Sequence, residues 1–251
     1  MVAKRIIPCL DVNGNRTVKG VRFNNLKTIG DPVLMGINYA RTGADELVYL
    51  DISATSEGRK TFVDLVKNIA REINIPFTVG GGISCFKEAA EMLNAGADKI
   101  AINSAALSSP QLIKEISSVF GSQFVVVAID ATQINGCWMV MSRGGQIPAG
   151  KKLLDWALES QDLGAGEILF TAIDNDGTKE GFAYEKIAQL SSVLSIPVIA
   201  SGGAGKAEHF EHVFKEGKAD AALAASIFHN GEISIKDLKC NLLNSGLNIR
   251  I

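Results

Sequence analysis

The chain has 251 residues, 47% of them hydrophobic, and a formal net charge of -2 with acids and bases mixed along its length. That balance supplies neither a basic stripe for nucleic acid nor a polybasic patch for a membrane surface. The apolar run before Asp11, in MVAKRIIPCLDV, is too short for a signal-peptide core or a membrane span, so a cytoplasmic location is expected. The four cysteines, at positions 9, 85, 137 and 240, show no CxxC pairing and no histidine at zinc-ligand spacing; they are expected to be reduced and mostly buried.

Short aliphatic runs alternate with longer amphipathic stretches from end to end, the pattern of βαβ units on a parallel sheet. In chain order the predicted strands are Arg5 to Asp11, Glu46 to Asp51, Phe77 to Gly80, Lys99 to Asn103, Phe124 to Asp130, Glu167 to Thr171, Val198 to Ser201 and Ala221 to Ala225. A helix is expected after each, within one domain spanning 1–251. Asp31-Pro32 places an N-cap before a proline at the first helical position, and Gly43, Gly96, Gly164 and Gly217 are expected to end helices. After the fifth strand, Asn135-Gly136 between Ala131-Thr132-Gln133 and Trp138-Met139-Val140 reads as a β-hairpin at the rim of the site.

The chain also contains itself twice. GADELVYLDIS at Gly43 is similar to GAGEILFTAID at Gly164, and IPFTVGGG at Ile75 to IPVIASGG at Ile196, both pairs 121 residues apart. Each half holds four βα units, which predicts a (β/α)₈ barrel built from two duplicated half-barrels. Active sites of such barrels lie at the C-terminal strand ends, and this sequence loads those ends. Gly81 and Gly82 follow the third strand, and Gly202 and Gly203 follow the seventh. Asn103-Ser104 and Ala225-Ser226 stand where helix N-termini are expected after the fourth and eighth. Thr171 and Ser201 end strands six and seven, and Asp176-Gly177 lie in the loop after the sixth. Each half therefore offers one phosphate cradle, and the pair implies a ligand phosphorylated at both ends.

Period-two alternation puts Arg5, Ile7, Cys9 and Asp11 on one face of the first strand and Val126, Ala128 and Asp130 on one face of the fifth. If those faces line the barrel, Asp11 and Asp130, 119 residues apart, converge on its mouth as a general acid and base. The same parity brings Arg5, Glu46, Lys99 and Glu167 inward as a charged ring at the barrel floor, about 20 Å below Asp11 at ~3.3 Å per residue. A salt-bridged plug and a gated axial passage both fit that ring. His209 and His212, three apart on a helix with no zincin pattern, are expected at the surface, and His229 is assigned no role.

RIIPCLDV, the Lys19-Gly20 pair, DPV at Asp31, GADELVYLDI, ATSEGRK at Ala54, VGGGI, GADKIAINSAA, FGSQ at Phe120, VVAIDA, GAGEILFTAIDNDGT and IASGGAGK together resemble the family of cyclase subunits of imidazole glycerol phosphate synthase, over essentially the whole chain. The resemblance implies a lyase acting in histidine biosynthesis. It would take ammonia and a bisphosphorylated phosphoribulosyl-formimino-aminoimidazole-carboxamide ribonucleotide to imidazole glycerol phosphate and aminoimidazole-carboxamide ribonucleotide. It implies that Asp11 and Asp130 are the acid–base pair and that Lys19 lies on a mobile loop over the substrate. It further implies that Arg5, Glu46, Lys99 and Glu167 gate ammonia from a glutaminase subunit docked on the barrel floor. No metal and no organic cofactor is implied.

Three positions depart from the family pattern: Gly217-Lys218-Ala219-Asp220 is one residue longer than the usual turn, Ser104 replaces threonine, and Ser84-Cys85 follows Ile83. The sister isomerase of the same pathway shares the duplication, the two aspartates and the phosphate sites, but needs no ammonia; the charged ring and Lys19 favour the cyclase. An ammonia-using relative in surface-sugar biosynthesis commonly lacks the aspartate present here as Asp11. A non-catalytic phosphosugar-binding barrel would keep the cradles and lose the carboxylates.

Overall fold

A computed structural model describes residues 2–14, 16–21, 24–52 and 63–251. Eight parallel strands close into a barrel: β1 (Arg5–Asn13), β4 (Leu47–Asp51), β5 (Phe77–Gly80), β6 (Lys99–Ile102), β7 (Val125–Ile134), β10 (Glu167–Ala172), β11 (Val198–Ser201) and β12 (Ala221–Ala224). Closure is made by β12 against β1 and by β10 against β7. The ATSEGRK segment at Ala54 lies outside the described residues.

Helices α1 (Pro32–Arg41), α2 (Val63–Glu72), α3 (Phe86–Ala95), α4 (Ser104–Ser108), α5 (Gln111–Phe120), α6 (Leu153–Asp162), α7 (Tyr184–Val193), α8 (Ala207–Lys215), α9 (Ser226–His229) and α10 (Ile235–Asn244) alternate with the strands. Strands buried on both faces need apolar residues at successive positions, and the alternation sorts them into two cores. Ile6, Leu10, Leu47, Tyr49, Ile100 and Phe170 point outward under the helices, while Ile7, Cys9, Val48, Ala101, Val126 and Leu169 pack inside the barrel with Ala128.

The helix ends follow their local chemistry. The Asp31 side chain accepts the N–H groups of Val33 and Leu34 ahead of Pro32, and Gly43, Gly96 and Gly164 take positive φ after α1, α3 and α6. The fourth such turn corrects the expectation for Gly217: there Lys218, one residue on, takes the left-handed conformation at φ 56. It occupies the place that glycine fills in the other three.

Those turns share a second device. Asp45, Asp98 and Asp220 each accept the N–H at the start of the preceding barrel strand, from Ile6 (2.9 Å), Phe77 (3.0 Å) and Val198 (3.0 Å). The equivalent position in the third turn is Gly166, where a Cβ would lie 2.1 Å from the Ser122 carbonyl. Backbone crowding therefore excludes the aspartate there.

The expected hairpin at Asn135-Gly136 is present, with both residues at positive φ, but it continues into a third strand. Its members are β7, β8 (Cys137–Ser142) and β9 (Ile147–Lys152). A matching ribbon of β1, β2 (Arg16–Val21) and β3 (Asn24–Gly30) follows the first barrel strand, where none was expected. The overlooked signal is Gly14-Asn15, a two-residue turn dipeptide in the position equivalent to Asn135-Gly136. Two cysteines also depart from expectation: all four are free, but Cys85 and Cys137 are exposed, because each sits at a loop or ribbon end rather than on an inward face.

Candidate active site

Asp11 and Asp130 sit one step above the inner core, in phase with Cys9 and Ala128 as the alternation requires. Burial pushes each carboxyl up to about 6. At Asp11 the nearby Lys19 ammonium, 3.8 Å from Oδ2, pulls the other way. At Asp130 the opposing pull comes from Asn103, whose Nδ2 donates to Oδ2 at 2.9 Å, and from the Thr171 hydroxyl. The charge of Asp176 raises both carboxyls, which places it between them electrostatically. Lys19 reaches Asp11 because β2 runs antiparallel beside β1, with Val18 opposite Asp11. The ribbon that was not foreseen is thus what carries the foreseen lysine.

The two expected cradles have matching backbones. Asn103 and Ala225 precede α4 and α9 at φ/ψ of -128/-88 and -120/-76, and neither helix start receives a side-chain cap. N–H groups are left unclaimed in the same way in both halves. Gly81, Gly82, Gly202 and Gly203 all take positive φ. A Cβ at Gly81 would lie 2.2 Å from the Asp51 carbonyl, and one at Gly203 would lie 2.0 Å from that of Gly181. Packing alone requires glycine at these two positions. The Asn103 Nδ2 is engaged with Asp130, which leaves its backbone as the donor to the cradle, while its Oδ1 is buried with no hydrogen-bond partner among the described residues. Ser104 Oγ accepts the Arg143 N–H at 3.2 Å, Ser201 is buried at the end of β11, and Ser226 begins α9.

The loop after β10, which carries Asp176 and Gly177, is strapped on both sides. Asp174 accepts from the Thr132 hydroxyl (2.6 Å) and the Gln133 N–H (2.9 Å) of the second ribbon. Asn175 Nδ2 donates to the Gly181 carbonyl, and the Gly181 N–H donates to Gly203, both at 2.8 Å. His209 corrects the surface expectation: it is buried, and its Nδ1 accepts the Gly205 N–H at 3.1 Å beside the second cradle. His212 is exposed as expected. Nothing in the local sequence marks Asp174, Asn175 or His209, because their partners come from other loops.

At the floor the four expected charges form a closed cycle. Arg5 reaches Glu46 at 2.7 Å and Glu167 at 2.9 Å, while Lys99 reaches the same two at 3.0 and 3.1 Å. Glu167 Oε2 is buried without a hydrogen-bond partner.

A closed (β/α)₈ barrel with two desolvated carboxylates at the mouth, one buried and one half-buried, two equivalent backbone cradles around them and a charged floor defines a barrel enzyme of the duplicated half-barrel class. The chain belongs to the histidine biosynthesis protein family, whose family model matches residues 5–234. It is 59% identical to the imidazole glycerol phosphate synthase subunit HisF of Flavobacterium johnsoniae, with all of both chains covered. The proteins of the same name from Parabacteroides distasonis and Flavobacterium psychrophilum are each 58% identical, again over all of both chains.

Proposed function

We propose that the chain is the cyclase subunit of imidazole glycerol phosphate synthase. It would take ammonia and the bisphosphorylated phosphoribulosyl-formimino-aminoimidazole-carboxamide ribonucleotide to imidazole glycerol phosphate and aminoimidazole-carboxamide ribonucleotide. Family membership and identity over the full length support this activity. The observation that carries the residue roles is the pair of desolvated carboxyls, each pushed up to about 6, at equivalent strand ends between two matched helix starts.

Ring closure requires a proton to be taken from the incoming nitrogen and protons to be returned to departing oxygen and nitrogen. Carboxyls raised towards neutrality serve both ends of that transfer, since each holds and releases a proton near the working pH. Lys19 contributes positive charge beside Asp11. Gly81, Gly82, Asn103 and Ser104 hold one phosphate, and Ser201, Gly202, Gly203, Ala225 and Ser226 hold the other, through backbone N–H groups. Thr171, Asp176 and Gly177 contact the substrate between them.

A glutaminase subunit docks on the N-terminal face in this reading and delivers ammonia through the Arg5–Glu46–Lys99–Glu167 cycle, in the cytoplasm. The unpartnered Glu167 Oε2 supports the delivery route, because a buried acceptor with a free lone pair suits a small donor such as ammonia.

The test is cyclisation of the bisphosphorylated ribonucleotide with ammonium salt, with and without a glutaminase subunit. Ammonium-driven product in both arms, and glutamine-driven product only with the partner, is the expected result. Isomerisation of the substrate's precursor without any ammonia requirement would assign the chain to the sister isomerase instead.

A further inference from the structure

The imidazole of His229 plays no part in the mechanism above, yet it lies against it. His229 ends α9, directly after the last barrel strand, and its Nδ1 is 2.6 Å from the Tyr39 hydroxyl on α1, with ring centroids 5.8 Å apart. Its Nε2 is buried and, among the described residues, makes no closely aligned hydrogen bond. Besides its burial, the ring feels the Lys19 ammonium and a hydrogen bond to the Cys9 backbone, so it lies beside β1 and β2.

Strand pairing explains why a side chain is needed at that point. β4 occupies one edge of β1 from Cys9 to Val12. On the other edge β12 pairs with Arg5 to Pro8, and β2 takes over from Asp11 to Asn13. Among the described residues, Cys9 and Leu10 therefore have no strand beside them on that edge, immediately below Asp11. A backbone carbonyl in such a break wants a donor. Tyr39 occupies Nδ1, so the ring's other nitrogen, Nε2, is the one left to face the Cys9 backbone; with Tyr39 donating to Nδ1 the ring's proton is on Nε2.

We propose that His229, oriented by Tyr39, is a positioning residue that fills the break between β12 and β2 and so sets the aim of Asp11 and Lys19. This rests on the cyclase reading for its kinetic consequence, but not for its structural one. Burial and the nearby Lys19 push the imidazole down to about 4, so it stays neutral across the working range and adds no second cation beside the lysine. A glutamine keeps an N–H close to the Nε2 position, whereas a leucine fills the space without one.

The test compares His229→Leu, His229→Gln and Tyr39→Phe with the unsubstituted chain in two measurements. One is the Asp11 carboxyl titration in the free protein, followed by carbon NMR, and the other is ammonium-driven cyclisation. His229→Leu should move the Asp11 midpoint by about half a pH unit or more. It should also lower kcat by roughly 10- to 100-fold at little-changed KM. His229→Gln should restore most of both, and Tyr39→Phe should fall between. An unmoved Asp11 titration in His229→Leu would overturn the proposal, and so would equal losses in the leucine and glutamine variants that track a fall in Tm. If the unsubstituted chain forms no product while the titration still moves, the cyclase reading fails and the positioning role stands.

Discussion

Asp11 and Asp130 show how a side chain's environment rather than its type decides what it can do. Asp11 is buried and Asp130 half-buried, and desolvation holds both near 6 against the pull of a lysine in one case and of Asn103 and Thr171 in the other. Asp11→Asn removes an ionisable group that the fold must otherwise desolvate. It should abolish turnover, with a loss of at least about 10²-fold, while leaving substrate affinity within roughly an order of magnitude. The same substitution should stabilise the free chain at pH 7 by about 1–3 kcal/mol, measured by urea unfolding. The sign follows from the raised folded-state value: ionising the buried acid costs stability above pH 6, and the cost disappears below the unfolded value, so the gain should vanish by about pH 4. Activity has the opposite dependence. The carboxyl acting as base is lost as pH falls through about 6, so glutamine-driven turnover, or turnover at constant free ammonia, should show its acid limb there.

At the level of the elements, boundaries and turns were mostly legible because they obey local chemistry. Asp31-Pro32 starts α1 and glycines end three helices through their own hydrogen bonds and dihedral freedom. The exception is instructive. Lys218, exposed and at φ 56, takes the left-handed position that glycine holds in the equivalent turns. Lys218→Gly should raise stability by about 0.5–1 kcal/mol, or ~2–4 °C in Tm for a chain of this size, since it relieves the Cβ clash at the cost of some chain entropy. The ribbon of β2 and β3 was overlooked although the first turn of its twin was legible. Trp138-Met139-Val140 flanks Asn135-Gly136 with strand formers, whereas Arg16-Thr17-Val18-Lys19 follows Gly14-Asn15 with a weaker alternation.

Over the whole molecule the two ends of the barrel perform different work. Asp45 and Lys239, bonded at 2.8 Å and both almost fully buried, join the floor to α10 near the C-terminus. Lys239→Ala should cost about 1–3 kcal/mol in chemical denaturation, because it removes the buried cation from Asp45 while the Ile6 N–H and Arg250 remain, and should leave kcat of the folded fraction unchanged. The inner cycle of Arg5, Glu46, Lys99 and Glu167 should respond differently. Lys99→Ala is expected to leave ammonium-driven cyclisation largely intact but to change the ratio of glutamine consumed to product formed in the complex. An unchanged ratio would make the cycle a structural plug.

What the sequence by itself determined is what repeats along it: the strand and helix periods, the duplication, the glycine and proline punctuation, and from parity alone the inward aim of Asp11, Asp130 and the four floor charges. Those features depend on near neighbours or on a fixed period, so order along the chain is enough to expose them. Only the tertiary structure decided that Asn103 serves Asp130, that Asp174 and Asn175 strap the loop carrying Asp176, and that Tyr39 and His229 meet beside Cys9. These contacts join residues from separate βα units, and no local pattern encodes them. Closing the barrel brings β12 back to β1, and that step alone sets the last histidine of the chain beside the strand that carries Asp11.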